Sequence, residues 1–249
     1  MRPSDHSYWD KVHNQFQGER VFILGTGPSL RNEVGVSINK LGESGEHVWA
    51  VNLFLHLVTG VDAFVEFVPD IIFASEIDFL PGIDLTTAGL RCEKILASHF
   101  DPDFPKEYEG VFDWKWVWSP DFRRMEKGYF NGFGDTLLWT AYGHSVVFTG
   151  PVQIAAWMGF EEVILLGCET TVRGHAYPEI YESPNRDVER QGLVQASAAV
   201  ALKEFESRGR KIVDCSGLTG TLPLPKGDFL KVLGDKSKGR KYLAWCDRD

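Results

Sequence analysis

Short apolar runs recur along the chain, each bounded by glycine or polar residues, and this pattern limits the folds that it can adopt. The runs predicted to be strands are Arg20–Leu24, Val48–Asn52, Ile71–Ser75, Lys94–Ser98, Val146–Phe148, Val163–Gly167 and Lys211–Asp214. Continuous apolar runs, as opposed to strictly alternating ones, are typical of parallel strands that are buried on both faces of a sheet.

Helical patterns separate several of these strands. The segment Pro151–Met158 starts with a proline, which suits a first helical turn, and is followed by Gly159. The segment Leu193–Ser207 carries its apolar residues on one helical face. Strands that alternate with helices predict an α/β fold, here a Rossmann-like, mostly parallel sheet with helices on both faces.

One aromatic-rich stretch interrupts this alternation. Between residues 101 and 140, tryptophans and phenylalanines are mixed with Pro, Asp and Gly, which predicts a lid inserted between two halves of the sheet. Trp114, Trp116 and Trp118 are spaced as in a strand, and they either stack on a sugar or base or pack under the lid. We therefore expect one nucleotide-binding domain over residues 1–235 and a C-terminal tail over residues 236–249.

Charge and composition argue against several classes of partner. The chain has 26 basic and 35 acidic residues and a net charge of −9, which disfavours nucleic acid or an anionic membrane as the main partner. No apolar run is long enough to span a membrane, residues 1–17 contain no apolar signal region, and the four cysteines lack metal-binding spacing. These features predict a cytoplasmic protein without a membrane span, and they leave homo-oligomer formation open.

The segment GTGPSL, residues 25–30, directly follows the first predicted strand. Glycines at these positions allow a tight turn and a close approach of the backbone to a ligand. The start of the next helix would offer free N–H groups and a positive dipole end, which suits a phosphate. The alternative is an ordinary strand-to-helix turn capped by Ser29. The spacing matches neither the dinucleotide-binding GxGxxG pattern nor the Walker motif.

Acidic residues follow two of the predicted strands. Glu76 and Asp78 come just after Ile71–Ser75, and Glu169 follows Val163–Gly167. Acids beyond the carboxyl ends of parallel strands point into the crevice where open α/β sheets bind ligands. Glu76 and Asp78 would hold a divalent metal on a nucleotide or accept from a ribose hydroxyl, unless they only stabilise a helix N-terminus.

The loop after Glu169 contains residues suited to phosphate and proton chemistry. Arg173 could neutralise a phosphate, and His175 could move a proton near neutral pH. A lone surface histidine is more often inert, but the neighbouring arginine and Tyr177 favour a functional role. Upstream, Thr149 opens another helix whose first N–H groups could contact a ligand.

Three segments together resemble a known superfamily. They are GTGPSL with the later AVN and PDIIFASEID, then TGPVQIAAWMGFEEVILLGCETTVRGHAYPEIY, then KIVDCSGLTGTLPLPKGDF. These segments are similar to the superfamily of bacterial lipooligosaccharide sialyltransferases, which also contains the archaeal 6-hydroxymethyl-7,8-dihydropterin diphosphokinase-like proteins. The resemblance extends over most of residues 20–230 and implies a Rossmann-like sheet and transfer chemistry on a nucleotide-activated donor.

The resemblance also implies roles for individual residues. Contacts to the nucleotide fall on Gly25, Gly27, Ser29 and Asn52, the acidic residue of the second motif on Glu169, and a phosphate-binding tyrosine on Tyr177. The chain departs from the sialyltransferases in carrying Thr26 where they have asparagine and Thr171 at an earlier tyrosine position. Their catalytic histidine lies further along than His175. These departures put sialic acid as the donor in doubt.

Three functions follow as hypotheses. The first is a glycosyltransferase of surface-glycan synthesis that uses a nucleotide-activated donor and a small-molecule or glycan acceptor. In it, His175 is the general base, and Arg173 and Tyr177 stabilise the leaving phosphate. The second is a Mg²⁺/ATP-dependent diphosphokinase for a pterin-like alcohol, with Mg²⁺ held by Glu76, Asp78 and Glu169. The third is a non-catalytic nucleotide-binding protein.

Overall fold

A seven-stranded, all-parallel sheet forms the centre of the protein. The computed structural model describes residues 11–59, 63–74, 94–97, 113–116, 146–169, 176, 188–217 and 221–234. The strands are β1 Arg20–Leu24, β2 His47–Val51, β3 Ile71–Ala74, β4 Lys94–Ala97, β5 Asp113–Trp116, β6 Glu162–Leu166 and β7 Lys211–Asp214. This arrangement confirms the predicted α/β, Rossmann-like fold class.

The order of the strands places β1 at a change of direction. The sheet runs β5-β4-β3-β2-β1-β6-β7, so the chain moves outward from β1 through β2 to β5 and then returns to pair β6 on the other side of β1. In register, Leu24 pairs with Ala50 of β2 and with Leu166 of β6. In open α/β sheets ligands bind in the crevice outside the carboxyl ends of the strands at such a switch point.

Alternate residues of the central strands face two separate cores. Val21 and Ile23 of β1 pack in the core formed with the helices Pro151–Met158 and Val188–Ser207. Phe22 and Leu24 pack in the opposite core, which includes Leu30, Ile38, Leu41 and Phe229. Both faces of the sheet are therefore covered, which explains why the strand sequences are continuously apolar.

The helices of the described residues are short except for one. They are Lys40–Ser44, His56–Thr59, Val146–Thr149, Pro151–Met158, Val188–Ser207 and Phe229–Gly234, with a π-helical turn at Leu30–Val34 and 3₁₀ turns at Gly35–Asn39 and Asn52–Leu55. No helix within the described ranges has the length and apolar character needed to cross a membrane.

Two sequence expectations change in the structure. The run Val146–Phe148 was expected to be a strand but lies in the helix Val146–Thr149, where the Gly150 N–H donates to the Val146 carbonyl at 3.0 Å. A short apolar run fits a buried helical turn as well as a strand, so periodicity alone cannot separate the two. Within the expected insertion at 101–140, Asp113–Trp116 pairs with β4 and extends the main sheet.

A buried ion pair and a buried histidine–carboxylate hydrogen bond lie at the amino ends of β1 and β2. Arg20 Nη2 lies 2.7 Å from Glu46 Oε1, and His47 Nε2 lies 2.7 Å from Glu19 Oε2. All four side chains are at least nine-tenths buried. These contacts lie at the end of the sheet opposite to the glycine turn, Asn52 and Glu169.

Candidate functional site

The backbones of the segments that follow β1 and β6 touch at the switch point. The Gly25 N–H donates to the Leu166 carbonyl at 2.7 Å, and the Gly27 N–H donates to the Gly167 carbonyl at 2.7 Å. A Cβ atom on Gly25 would lie 2.7 Å from the Gly167 carbonyl carbon and still closer to its oxygen. Glycine is required at position 25 because the two backbones leave no room for a side chain.

Ser29 and Glu169 join the same two segments through side chains. The Ser29 N–H donates to Glu169 Oε1 at 2.6 Å, and Ser29 Oγ donates to Glu169 Oε2 at 2.7 Å. A Cβ atom on Gly27 would lie 2.5 and 2.6 Å from the two carboxylate oxygens. The glycine turn therefore packs closely against the carboxyl group of Glu169, a residue that is 9% exposed.

Burial dominates the electrostatics of this carboxyl group. Desolvation raises the pKa of Glu169, the two hydrogen bonds from Ser29 lower it in part, and the charge of Asp214 raises it further. Burial also raises the pKa of the Cys168 thiol well above its ordinary value, so this neighbour is an inert, protonated side chain. Glu169 is thus a carboxylate held in a weakly solvated position, where hydrogen bonds to a ligand are stronger than in water.

The expectation that this turn offers free N–H groups is wrong for most of its residues. The N–H groups of Gly25, Gly27 and Ser29 all donate within the protein, and those of Leu30 and Arg31 donate to the Gly27 and Pro28 carbonyls. The capping alternative is also wrong, because Ser29 makes no side-chain cap and its hydroxyl donates to Glu169. The physical reason is that the turn closes on β6, and the helical turn that follows is only five residues long.

Ala176 fixes the centre of the predicted His/Tyr loop to the glycine turn. The Ala176 N–H donates to the Thr26 carbonyl at 2.8 Å, and its carbonyl accepts from Arg31 Nε at 2.8 Å. The Arg31 guanidinium also lies over the Phe64 ring, 4.9 Å from its centroid. Both peptide groups of Ala176 are therefore tied to the segment that follows β1.

Several predicted site residues lie outside the described residues. They are Glu76, Asp78, Thr171, Arg173, His175 and Tyr177. Of Thr149 the structure describes the backbone, which ends the helix Val146–Thr149. The N–H of the following Gly150 is used inside that helix, and Pro151 has none, so the start of the next helix does not offer these two groups to a ligand.

Asn52 has a backbone conformation that few side chains adopt. It directly follows β2 and has φ of +47°, in the left-handed region that asparagine tolerates better than most residues. It is half-buried at the carboxyl end of the strand beside β1. The structure thus places Asn52 at the same edge of the sheet as the glycine turn and Glu169.

The described residues do not fit a magnesium site. Both Glu169 oxygens accept hydrogen bonds from Ser29. Within the described part of the chain, no three His, Cys, Asp or Glu side chains gather in a way that could hold a metal ion. Mg²⁺ needs several oxygen ligands in near-octahedral geometry, and Glu169, the one predicted ligand among the described residues, does not supply them alone.

Sequence reasoning missed one acidic residue near this site. Asp214 ends β7, is fully buried, and its charge acts on both Cys168 and Glu169. The signal was present, because an acid at the end of a predicted parallel strand is the pattern that drew attention to Glu169. In the sequence, Asp214 figures only as the end of the last predicted strand and as part of the third segment of the resemblance.

Comparisons with known proteins identify a fold relative. The chain is similar in structure to the Maf glycosyltransferase of Magnetospirillum magneticum AMB-1, with a TM-score of 0.57 and 15% identity, over 91% of this chain and 36% of that protein. It thus spans little more than a third of that protein's length. No protein-family model matches the chain. No curated protein matches it significantly. At this identity the likeness shows a shared fold.

Proposed function

We propose that the protein is a glycosyltransferase that uses a nucleotide-activated sugar in surface-glycan synthesis. The observation that carries this proposal is the meeting of the glycine turn and Glu169 at the switch point between β1 and β6. Open α/β sheets bind their ligands at this point. The fold is shared with a glycosyltransferase, which supports the reaction class by analogy.

The close backbone contacts suggest how the donor is seated. The glycine turn holds the Glu169 carboxyl group at the carboxyl end of β6, and Asn52 lies at the same end of the sheet after β2, so a nucleoside would be seated beside these two side chains. A carboxylate oxygen can accept more than one hydrogen bond, and each Glu169 oxygen accepts one from Ser29. Glu169 can therefore bind sugar or ribose hydroxyls while it stays attached to Ser29.

The phosphate must be bound by a cation and hydrogen-bond donors from outside the glycine turn. The turn's N–H groups at Gly25, Gly27 and Ser29 already donate within the protein, so they do not cradle a phosphate. We assign that task to Arg173 and Tyr177, which flank the tethered Ala176 in sequence. Both would stabilise the negative charge that develops on the leaving phosphate in the transition state.

The transfer step needs one base. His175 takes the proton of the acceptor hydroxyl while the hydroxyl oxygen forms a bond to the anomeric carbon of the donor. The bond from that carbon to the phosphate oxygen breaks, and the nucleotide leaves with the electron pair.

The nucleotide specificity is tested by thermal unfolding. CMP, CDP or UDP at about a hundredfold excess over its Kd should stabilise the native state by about 2.7 kcal/mol, because it binds only the folded chain. For a chain of 249 residues this corresponds to a rise in Tm of roughly 5–10 °C. The rise should persist in EDTA.

The control is ATP with Mg²⁺, with and without EDTA. A Tm rise confined to ATP with Mg²⁺ and abolished by EDTA would contradict the proposal and favour a diphosphokinase. A Tm rise with CMP or UDP, together with an absence of turnover for every donor and acceptor pair, would instead leave a nucleotide-binding protein without catalytic activity.

A further inference from the structure

A second hydrogen-bonded network lies behind Glu169 and plays no part in the reaction outlined above. Its side chains are Asp214, Ser216 and Lys226, which belong to the end of β7 and the segment that follows. Asp214 and Ser216 are fully buried, whereas the Lys226 side chain is 44% exposed. Buried polar side chains are costly unless their hydrogen-bonding groups are satisfied, so their arrangement is informative.

The contacts form a continuous path toward Glu169. Lys226 Nζ donates to Asp214 Oδ2 at 2.6 Å, and Asp214 Oδ1 accepts from the Ser216 N–H at 2.9 Å. Ser216 Oγ then accepts from the Cys168 N–H at 3.1 Å. The path therefore ends on the N–H of Cys168, the residue directly before Glu169, in the peptide group that joins Gly167 to Cys168.

Hydrogen bonds also fix the backbone around this network. The Asp214 N–H donates to the Pro225 carbonyl at 2.8 Å, and the Gly227 N–H donates to the Asp214 carbonyl at 3.0 Å. Lys226 Nζ also donates to the Leu222 carbonyl at 3.1 Å. The segment 221–228 is thus attached to the end of β7 from both sides of Asp214.

We propose that Asp214, Ser216 and Lys226 are positioning residues that hold Glu169 at the crevice, an inference that rests on the proposed function of that site. Ser29 fixes the carboxyl group from one side, and Ser216 Oγ fixes the backbone N–H of the preceding residue, Cys168, from the other. The positive charge of Lys226 pairs with the buried Asp214 carboxylate and offsets the cost of keeping that carboxylate in a weakly solvated place. A group that binds substrate must be held to within a fraction of an ångström, and such support provides it.

The charged and titratable neighbours of this path are few within the described residues. Asp214 acts on Glu169, on Cys168 and on Cys215, and it pairs with Lys226. Desolvation, with smaller contributions from nearby carboxylates, raises the pKa of Cys215 to about 12, so that thiol stays neutral. Among the described residues, Asp214 is therefore the charge that acts on Glu169.

The first test separates positioning from folding by kinetics. Ser216→Ala and Lys226→Met should each lower kcat by roughly tenfold or more, with KM for the donor within about twofold of wild type, because a misplaced group loses its geometry in the transition state. Lys226→Arg keeps the charge and should restore kcat. Lys231→Met, the same change at an exposed lysine nearby, should leave the rate unchanged.

The second test needs no activity. The Glu169 carboxyl carbon is followed by ¹³C NMR during a pH titration and is assigned with Glu169→Gln. Asp214→Asn retains an acceptor for the Ser216 N–H but removes the charge, so the Glu169 midpoint should fall below the wild-type value. Asp228→Asn, which keeps a capping side chain for the Lys231 N–H, should leave the midpoint unchanged.

Each result decides the proposal. Wild-type kcat in Ser216→Ala, or a Glu169 midpoint that Asp214→Asn does not move, would overturn it. Because the titration is recorded without substrate, it tests the network even if no glycosyl donor is turned over. The failure of the proposed function and the failure of the network can therefore be told apart.

Discussion

Replacing Gly25 with alanine should lower the free energy of unfolding by about 3 kcal/mol, among the largest effects of any single methyl group in this protein. The new Cβ would lie 2.7 Å from the Gly167 carbonyl carbon and 3.1 Å from Cys168 Cα, and both atoms belong to backbone that cannot rotate away. The strands would have to separate at the hydrogen bond from Gly25 to Leu166. Urea denaturation of the purified variant measures the change.

Gly192→Ala is the matched control for this prediction. Gly192 lies in the exposed part of the helix Val188–Ser207, and a Cβ there would meet nothing within 4 Å. Alanine should stabilise this helix by up to about 1 kcal/mol, since glycine is the poorer helix former. If Gly25→Ala unfolds at the same urea concentration as wild type, the close backbone contact between the ends of β1 and β6 does not exist.

Replacing Glu169 with glutamine should reduce turnover by about ten- to a hundredfold without loss of the fold. Hydrogen bonds to a charged acceptor contribute about 1.5–3 kcal/mol, which corresponds to that factor. Glutamine has nearly the same shape, so its Oε1 can accept from the Ser29 N–H while its amide donates to Ser29 Oγ. Steady-state kinetics with the preferred donor measures the loss.

The same variant makes a prediction about stability and pH. Because burial raises the pKa of Glu169 in the folded state, its contribution to stability is present at low pH and is lost as the pH rises through the folded value. Glutamine does not titrate, so the Tm of Glu169→Gln minus that of wild type should increase from acidic to neutral pH.

Glu162→Gln is the control for both measurements. Glu162 is the first residue of β6, the strand that Glu169 follows, and lies at the opposite end of the sheet. The substitution should leave turnover unchanged. Full activity in Glu169→Gln would show that this carboxyl group is not a ligand for substrate. A Tm difference that falls as the pH rises would show that it is not a costly buried charge.

The fold was largely predictable because the local composition of a segment indicates whether it forms a buried strand. Strands with both faces covered must be apolar throughout, so β1, β2, β3, β4, β6 and β7 were recognised, and β7 has the predicted bounds. The same reasoning wrongly predicted a strand at Val146–Phe148, because a short apolar run also suits a buried helical turn. Asp113–Trp116 shows strand periodicity in sequence, but its membership of the main sheet depends on a distant partner, β4.

The site was predictable as a location but not as a set of contacts. Parallel topology brings the segments after β1 and β6 together, so the proximity of the glycine turn and Glu169 followed from strand order. Which groups bond to which did not follow. The carboxyl group that occupies the Ser29 N–H comes from 140 residues away in sequence, and such tertiary contacts override what the local motif suggests.

A nucleotide that binds at the carboxyl ends of β1 and β6 should perturb residues at that end of the sheet only. The most direct measurement is a backbone-amide NMR titration with the nucleotide that raises Tm most. We predict that the shifts concentrate at residues 25–29, Asn52 and Glu169, and are small at Glu19, Arg20, Glu46 and His47 on the opposite edge. Saturable shifts centred on that opposite edge, with the turn and Glu169 unaffected, would contradict the account.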